Sequence, residues 1–111
     1  MSPELRLWLR TEIESPLFDS ATQWLLLVYS RHPRLPDPVC SYDPQDDTCV
    51  FLWERDGDWV ELEVNEDKQV MWWAGDASQM PVTPYERWAD DIDENGHSWL
   101  RRIAEPLEWV H

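Results

Sequence analysis

At 111 residues, with 42% hydrophobic and 13% aromatic side chains, the chain is the size of one domain, and its apolar content excludes an acidic disordered tail. A formal net charge of −14 disfavours DNA, RNA and anionic lipid as direct partners and favours cationic ones. No apolar run is long enough to cross a bilayer or to read as a secretory leader, so a cytoplasmic location is expected, with Cys40 and Cys49 reduced.

The chain opens with a helix signal. Ser2 is placed as an N-cap, Pro3 suits the first helical position, and Glu4 complements the positive end of the dipole. Leu5, Trp8, Leu9 and Ile13 recur at helical spacing. A second start at Ser15-Pro16 leads into the face Leu17, Ala21, Trp24, Leu25 and Val28, which Leu26, Leu27 and Tyr29 widen. A strand over Trp24 to Ser30 is the competing reading of that short apolar run. Pro33, Pro36, Pro38 and Pro44 then forbid regular helix and read as a crossing to a sheet.

Three strands follow: Thr48 to Glu54, Asp58 to Val64 and Gln69 to Ala74. Asp56-Gly57 makes the first hairpin turn and Asn65-Glu66-Asp67-Lys68 the second, longer one. The second strand turns Val60, Leu62 and Val64 inward and Trp59, Glu61 and Glu63 outward. In the third, one of Trp72 and Trp73 must face away from the helices. Thr83-Pro84 starts a short helix to about Asp93, with Tyr85, Trp88, Ala89 and Ile92 on its face, and Asn95-Gly96 ends it with a left-handed cap. A last helix runs from Ser98 to Glu105 with Trp99, Leu100 and Ile103 on its face, and Pro106 stops it. Leu107 to His111 is a tail suited to a fourth, edge strand. The predicted fold is α+β: an N-terminal helical pair, a three-stranded (with the tail, four-stranded) antiparallel meander, and two short C-terminal helices packed on one face.

The run from Leu35-Pro36-Asp37-Pro38 through Trp53 to Leu62-Glu63-Val64, preceded by a helix, resembles a layout found in small bacterial α+β proteins of immunity and antitoxin type. The likeness covers roughly half of the chain and supports the hairpin topology. It departs at the turn before the first strand, where Asp-Gly is usual and this chain reads Asp46-Asp47-Thr48.

Charge is segregated along the chain. Residues 1–36 balance four acids with four bases, and residues 95–111 balance two with two. The stretch between them holds the other 17 acids against Arg55, Lys68 and Arg87, together with five of the nine tryptophans. Aromatics among carboxylates have the wrong sign for stacking on nucleic acid but suit a basic protein, with carboxylates engaging Arg and Lys and indoles serving as anchors. The expected contact patch is Asp43, Asp46, Asp47, Glu54, Asp56, Asp58, Trp59, Glu61, Glu63, Glu66, Asp67 and Trp73, with Asp90, Asp91, Asp93 and Glu94 as a second acidic cluster. Trp8, Trp24, Trp88 and Trp99 belong to the core.

Other chemistries find little support. Asp91-Ile-Asp93-Glu-Asn95-Gly96 matches the first half of a calcium loop, with Asp91, Asp93 and Asn95 as ligands, but its twelfth position is Arg102 instead of glutamate. A helix cap is the simpler reading. His32, His97 and His111 lack metal-pair spacing, and the chain's three glycines form no phosphate loop. Cys40 and Cys49 have acids nearby to raise their pKa, and read as small half-buried side chains facing across a hairpin. No cofactor and no catalysis are expected.

The expected function is therefore an acidic inhibitor that neutralises a basic, nucleic-acid-acting protein, as an immunity protein or antitoxin does for a nuclease-type toxin. The alternatives are a phage-encoded DNA mimic acting on a defence system (anti-CRISPR or anti-restriction) and a calcium-dependent regulatory module. The same sheet face would also serve a homodimer.

Overall fold

A computed structural model of the chain describes residues 1–13, 16–65, 67, 69–76 and 91–105. Its elements, in order, are α1 (Pro3–Glu12), α2 (Leu17–Arg31), β1 (Val39–Asp43), β2 (Thr48–Arg55), β3 (Asp58–Asn65), β4 (Val70–Gly75) and α3 (Glu94–Ala104). The strands form one antiparallel sheet in the order β1-β2-β3-β4. This is the expected α+β arrangement of a helical pair, a meander and a C-terminal helix.

Local chemistry explains most boundaries. The Ser2 hydroxyl accepts the Leu5 N–H at 3.0 Å, which caps α1 with Pro3 in its first turn. The Asp56-Gly57 turn has positive φ at both residues (52° and 88°), the geometry that matches a two-residue hairpin to strand twist. In the β3–β4 turn, Asn65 Oδ1 accepts the N–H groups of Asp67 and Gln69 and so closes the loop with its own side chain.

Three expectations need revision. The described sheet has a fourth strand that was not expected, β1, and it lies inside the proline-rich crossing. Pro38 and Pro44 bracket five proline-free residues, so the prolines bound a short edge strand instead of preventing one. Asn95 and Gly96 do not terminate a helix. Asp93 is the N-cap of α3, its carboxylate accepting the Gly96 N–H at 2.9 Å, and both residues sit in the helix's first turn. The second helix has Pro16 at its N-cap position with no side-chain cap bond. The predicted Thr83–Asp93 helix falls largely outside the described residues, as do Trp88 and the tail.

The core lies between one face of the sheet and the helices. Cys49, Phe51 and Trp53 from β2, Val60, Leu62 and Val64 from β3, and Val70, Trp72 and Ala74 from β4 all point inward and are buried. They meet Leu17, Ala21, Leu25 and Val28 of α2 and Leu100 and Ile103 of α3. α1 joins the cluster through Leu5, Leu9 and the edge of Trp8 against Phe51. Trp53 ties the layers together. Its Nε1–H donates to the Pro36 carbonyl at 2.9 Å and approaches the Tyr29 hydroxyl at 3.3 Å, while that hydroxyl donates to the same carbonyl at 2.7 Å. Burial pushes the Tyr29 phenol up to about 12, so it stays a donor throughout the physiological range.

Gly96 is a glycine for want of space. An added Cβ would stand 2.6 Å from Ile92 Cγ2 and 3.1 Å from the Trp72 indole, both buried side chains. Alanine would ordinarily improve a helix interior by up to about 1 kcal/mol. Here the clash outweighs that gain, and Gly96→Ala is expected to destabilise the protein by about 1–3 kcal/mol in urea unfolding. An unchanged or higher midpoint would show that Trp72 and Ile92 yield freely.

Candidate functional site

Strand alternation gives the sheet a second face with a composition of its own. Outward positions are Val39, Ser41 and Asp43 on β1, Thr48, Val50, Leu52 and Glu54 on β2, Trp59, Glu61 and Glu63 on β3, and Met71 and Trp73 on β4. The register aligns them in rows across the sheet. One row reads Val39–Leu52–Glu61–Trp73, the next Ser41–Val50–Glu63–Met71, and a third sets Glu54 beside Trp59 and Gly75. A carboxylate column along β3 is thus flanked by apolar side chains on both neighbouring strands. No Lys or Arg occupies an outward position of any strand; the one strand arginine, Arg55, falls on the inward register.

Glu61 and Glu63 project from the same side of β3, roughly 7 Å apart along the strand. Neither accepts a hydrogen bond or joins a salt bridge among the described residues. Partial burial raises the Glu63 pKa, and the charge on Glu61 raises it further. A half-desolvated, unpaired carboxylate of this kind is stabilised by any cation delivered to it.

The structure sorts the expected patch into groups. Glu54, Trp59, Glu61, Glu63 and Trp73 share the outer face. Trp59 and Trp73 are half-buried, whereas Trp72 is in the core at 2% exposure. The Trp59 indole lies across Gly75, where an added Cβ would meet it at 3.1 Å, so it is laid flat on its own sheet. Asp43, Asp46 and Asp47 cluster at the β1–β2 turn, and pairing of Thr48 with Asn65 brings Asp67 to the same end. Asp47 already accepts the Tyr42 hydroxyl at 2.8 Å, and Asp43 accepts the Gln45 N–H at 2.9 Å. Asp56 marks the opposite end. Asp58 leaves the patch: it points to the helical side and pairs with Arg102 at 3.0 Å, whose guanidinium also sits 4.2 Å over the Trp99 ring. Glu66 lies outside the described residues, as does Asp90 of the second cluster. In that cluster, Asp93 caps α3 and Glu94 takes two hydrogen bonds from Arg31, at 2.8 and 2.9 Å.

With Asp93 committed to a helix cap and Asn95 inside the helix, Asp91, Asp93 and Asn95 do not form a calcium loop. Among the described residues no group of three or more His, Cys, Asp or Glu side chains is placed to hold a metal. No helix among them is long and apolar enough to cross a membrane. The cysteines are free. Cys40 is opposite Phe51 and Cys49 opposite Tyr42, both on the inward face. Burial, not the aspartates of the nearby turn, is the chief reason their thiol pKa values rise, to about 11 for Cys40 and higher for Cys49. Neither is a reactive thiolate.

One pair escaped the sequence reading altogether. His32 at the end of α2 and His97 in the first turn of α3 are both buried, with Nε2 of the first 3.1 Å from Nδ1 of the second. Their separation in sequence, 65 residues, left no local signal. A hydrogen bond between them needs one ring to donate and the other to accept, so the two cannot both be protonated at these nitrogens. Burial chiefly lowers both pKa values, that of His32 to about 4, with the partner ring and Arg31 and Arg101 reinforcing the shift at His32 and Glu105 opposing it. At His97 Arg31 reinforces the shift, while Glu94, Asp91 and Asp93 oppose it.

No family model, curated protein or solved structure matches this chain.

The histidine pair predicts an acid-labile seam. A base whose folded pKa is depressed binds fewer protons folded than unfolded, so its stabilising contribution is complete above about pH 6.5 and declines as pH falls toward about 4. Urea midpoints measured from pH 7 to pH 5 should fall more for the wild type than for His32→Gln, which does not titrate. Parallel pH profiles would remove the pair from the stability argument.

Proposed function

We propose that this protein is an acidic inhibitor that docks the outer face of its sheet onto the nucleic-acid-contacting surface of a basic protein, in the manner of an immunity protein or antitoxin acting on a nuclease-type toxin. The observation that supports the reading best is the outer face itself. Three carboxylates, Glu54, Glu61 and Glu63, and two half-buried indoles, Trp59 and Trp73, share a surface from whose strands no Lys or Arg projects.

A surface that binds phosphates must be cationic; a surface complementary to it must be anionic at similar spacing. Carboxylates alone would give steering and encounter but little hold. The apolar strips beside β3, Val50 and Leu52 on one flank and Met71 and Trp73 on the other, add the desolvating contacts that lengthen residence. The partner's guanidinium groups would pair with Glu61 and Glu63 while their stems cover the neighbouring apolar side chains. Acids at both ends of the sheet, Asp43, Asp46 and Asp67 at one and Asp56 at the other, extend the field beyond the contact and raise the association rate at low salt.

Affinity capture from the native host, wild type against Glu61→Lys/Glu63→Lys, tests the reading. The wild type is expected to retain a basic nucleic-acid-binding protein, with affinity that falls as salt rises. The double reversal should weaken that complex by roughly two orders of magnitude or more while the circular dichroism spectrum is unchanged, because both side chains face away from the core. Equal retention by the two proteins would dismiss this face as the contact.

A further inference from the structure

The helical layer carries a feature unrelated to the acidic sheet face. Between α1 and α2 runs a groove of about 300 Å³, lined by Leu9, Phe18, Thr22 and Leu26 and bordered by Arg6 and Arg10. Its walls are apolar, and its size is at the lower end of sites that hold small organic molecules. Leu9 is buried at its base, whereas Leu26, one residue after the fully buried Leu25, keeps 48% of its surface open. The groove is therefore a place where apolar side chains meet without covering one another.

Two polar features make it more than an unfilled seam. Thr22 lines it, and the hydroxyl of that residue is buried with no hydrogen-bond partner. Threonine within a helix ordinarily bonds the carbonyl one turn earlier, as Thr11 does with Leu7 at 2.9 Å, so a buried hydroxyl left unmatched is a donor in want of an acceptor. Arg6 and Arg10 stand one turn apart on α1, both exposed, and neither forms a salt bridge among the described residues. Arg31 and Arg102, by contrast, are each engaged with a carboxylate.

We infer that this groove binds a small amphiphilic carboxylate. The apolar body lies along Leu9, Phe18 and Leu26, and the carboxylate head takes charge-assisted hydrogen bonds from Arg6 and Arg10. An alkyl alcohol would leave both guanidinium groups unmatched, and a cationic amphiphile would oppose them. The net charge of −14 does not forbid an anion here, because residues 1–36 balance four acids with four bases. The excess of acid is carried on the sheet, and exposed charges beyond about 8 Å are screened at physiological salt. The inference is independent of what the sheet face binds.

Titration of the full chain with sodium decanoate below its micelle concentration, followed by amide chemical shifts, tests it. The controls are 1-decanol, decyltrimethylammonium and acetate. Decanoate is expected to move the amides of Leu9, Phe18, Thr22 and Leu26 with saturation, and to do so more tightly than any control. Arg10→Gln should weaken it roughly tenfold. Leu26→Trp, which fills the groove from an exposed position, should abolish the shifts while the rest of the spectrum stays that of the folded protein. Equal binding of decanol, shifts confined to other surfaces, no saturable shift, or groove shifts that follow protein concentration without ligand would each overturn the assignment, the last by making the occupant a second copy of the chain.

Discussion

The arrangement depends on a period-two constraint in the meander. Cys49, Phe51 and Trp53 must face the helices together with Val60, Leu62 and Val64, and the pairing of Phe51 with Leu62 and Trp53 with Val60 fixes that choice on two strands at once. A slip of one residue in β3 would put Glu61 and Glu63 into the core and three branched aliphatic side chains into water. Burial of one face therefore specifies the chemistry of the other. The Trp53–Tyr29–Pro36 bonds lock the register from outside the sheet, since the Pro36 carbonyl is held by donors from both β2 and α2.

The fold also separates charge by layer. Arginines sit on the helical side, where Arg31 reaches Glu94 and Arg102 reaches Asp58 across the end of the sheet. The Arg31–Glu94 pair is solvent-exposed and the Arg102–Asp58 pair partly so, and such pairs hold little energy of their own. Their consequence is in what remains: these two arginines are engaged on the helical side, and the outer sheet face keeps its carboxylates without compensation from the strands. Glu63 shows the strain of that design, with a pKa raised by burial and by Glu61 on the same side of the strand. A protein that retains such a residue in the middle of an exposed sheet is suited to meeting cations there.

α3 is the element that closes the molecule, and it does so with several small devices at one end. Asp93 caps it, Gly96 lets Ile92 and Trp72 approach its backbone, and His97 turns inward to His32. Each device is at the seam with α2 or β4, so the start of α3 is fixed by tertiary contact as much as by helix propensity. Arg102, in its last turn, reaches over Trp99 to Asp58 and ties the helix to the β2–β3 end of the sheet.

Much of this was written in local pattern. The start of α1, the Asp56-Gly57 turn, the inward set Val60, Leu62 and Val64, and the outward placement of Trp59, Glu61 and Glu63 all follow from capping chemistry, turn chemistry and alternation, which act over a few residues. What only the tertiary structure decided involves partners distant in the chain or competition between equal local signals. Asn95-Gly96 looked like a helix end because glycine favours one, but close packing by Trp72 explains the glycine instead. The proline-rich stretch read as a crossing to the sheet holds a strand of its own, β1, between Pro38 and Pro44 once β2 offers it an edge. Asp58 was drawn off the acidic patch by Arg102, and His32 met His97 across 65 residues, because side-chain pairing depends on which elements touch and periodicity carries no record of that.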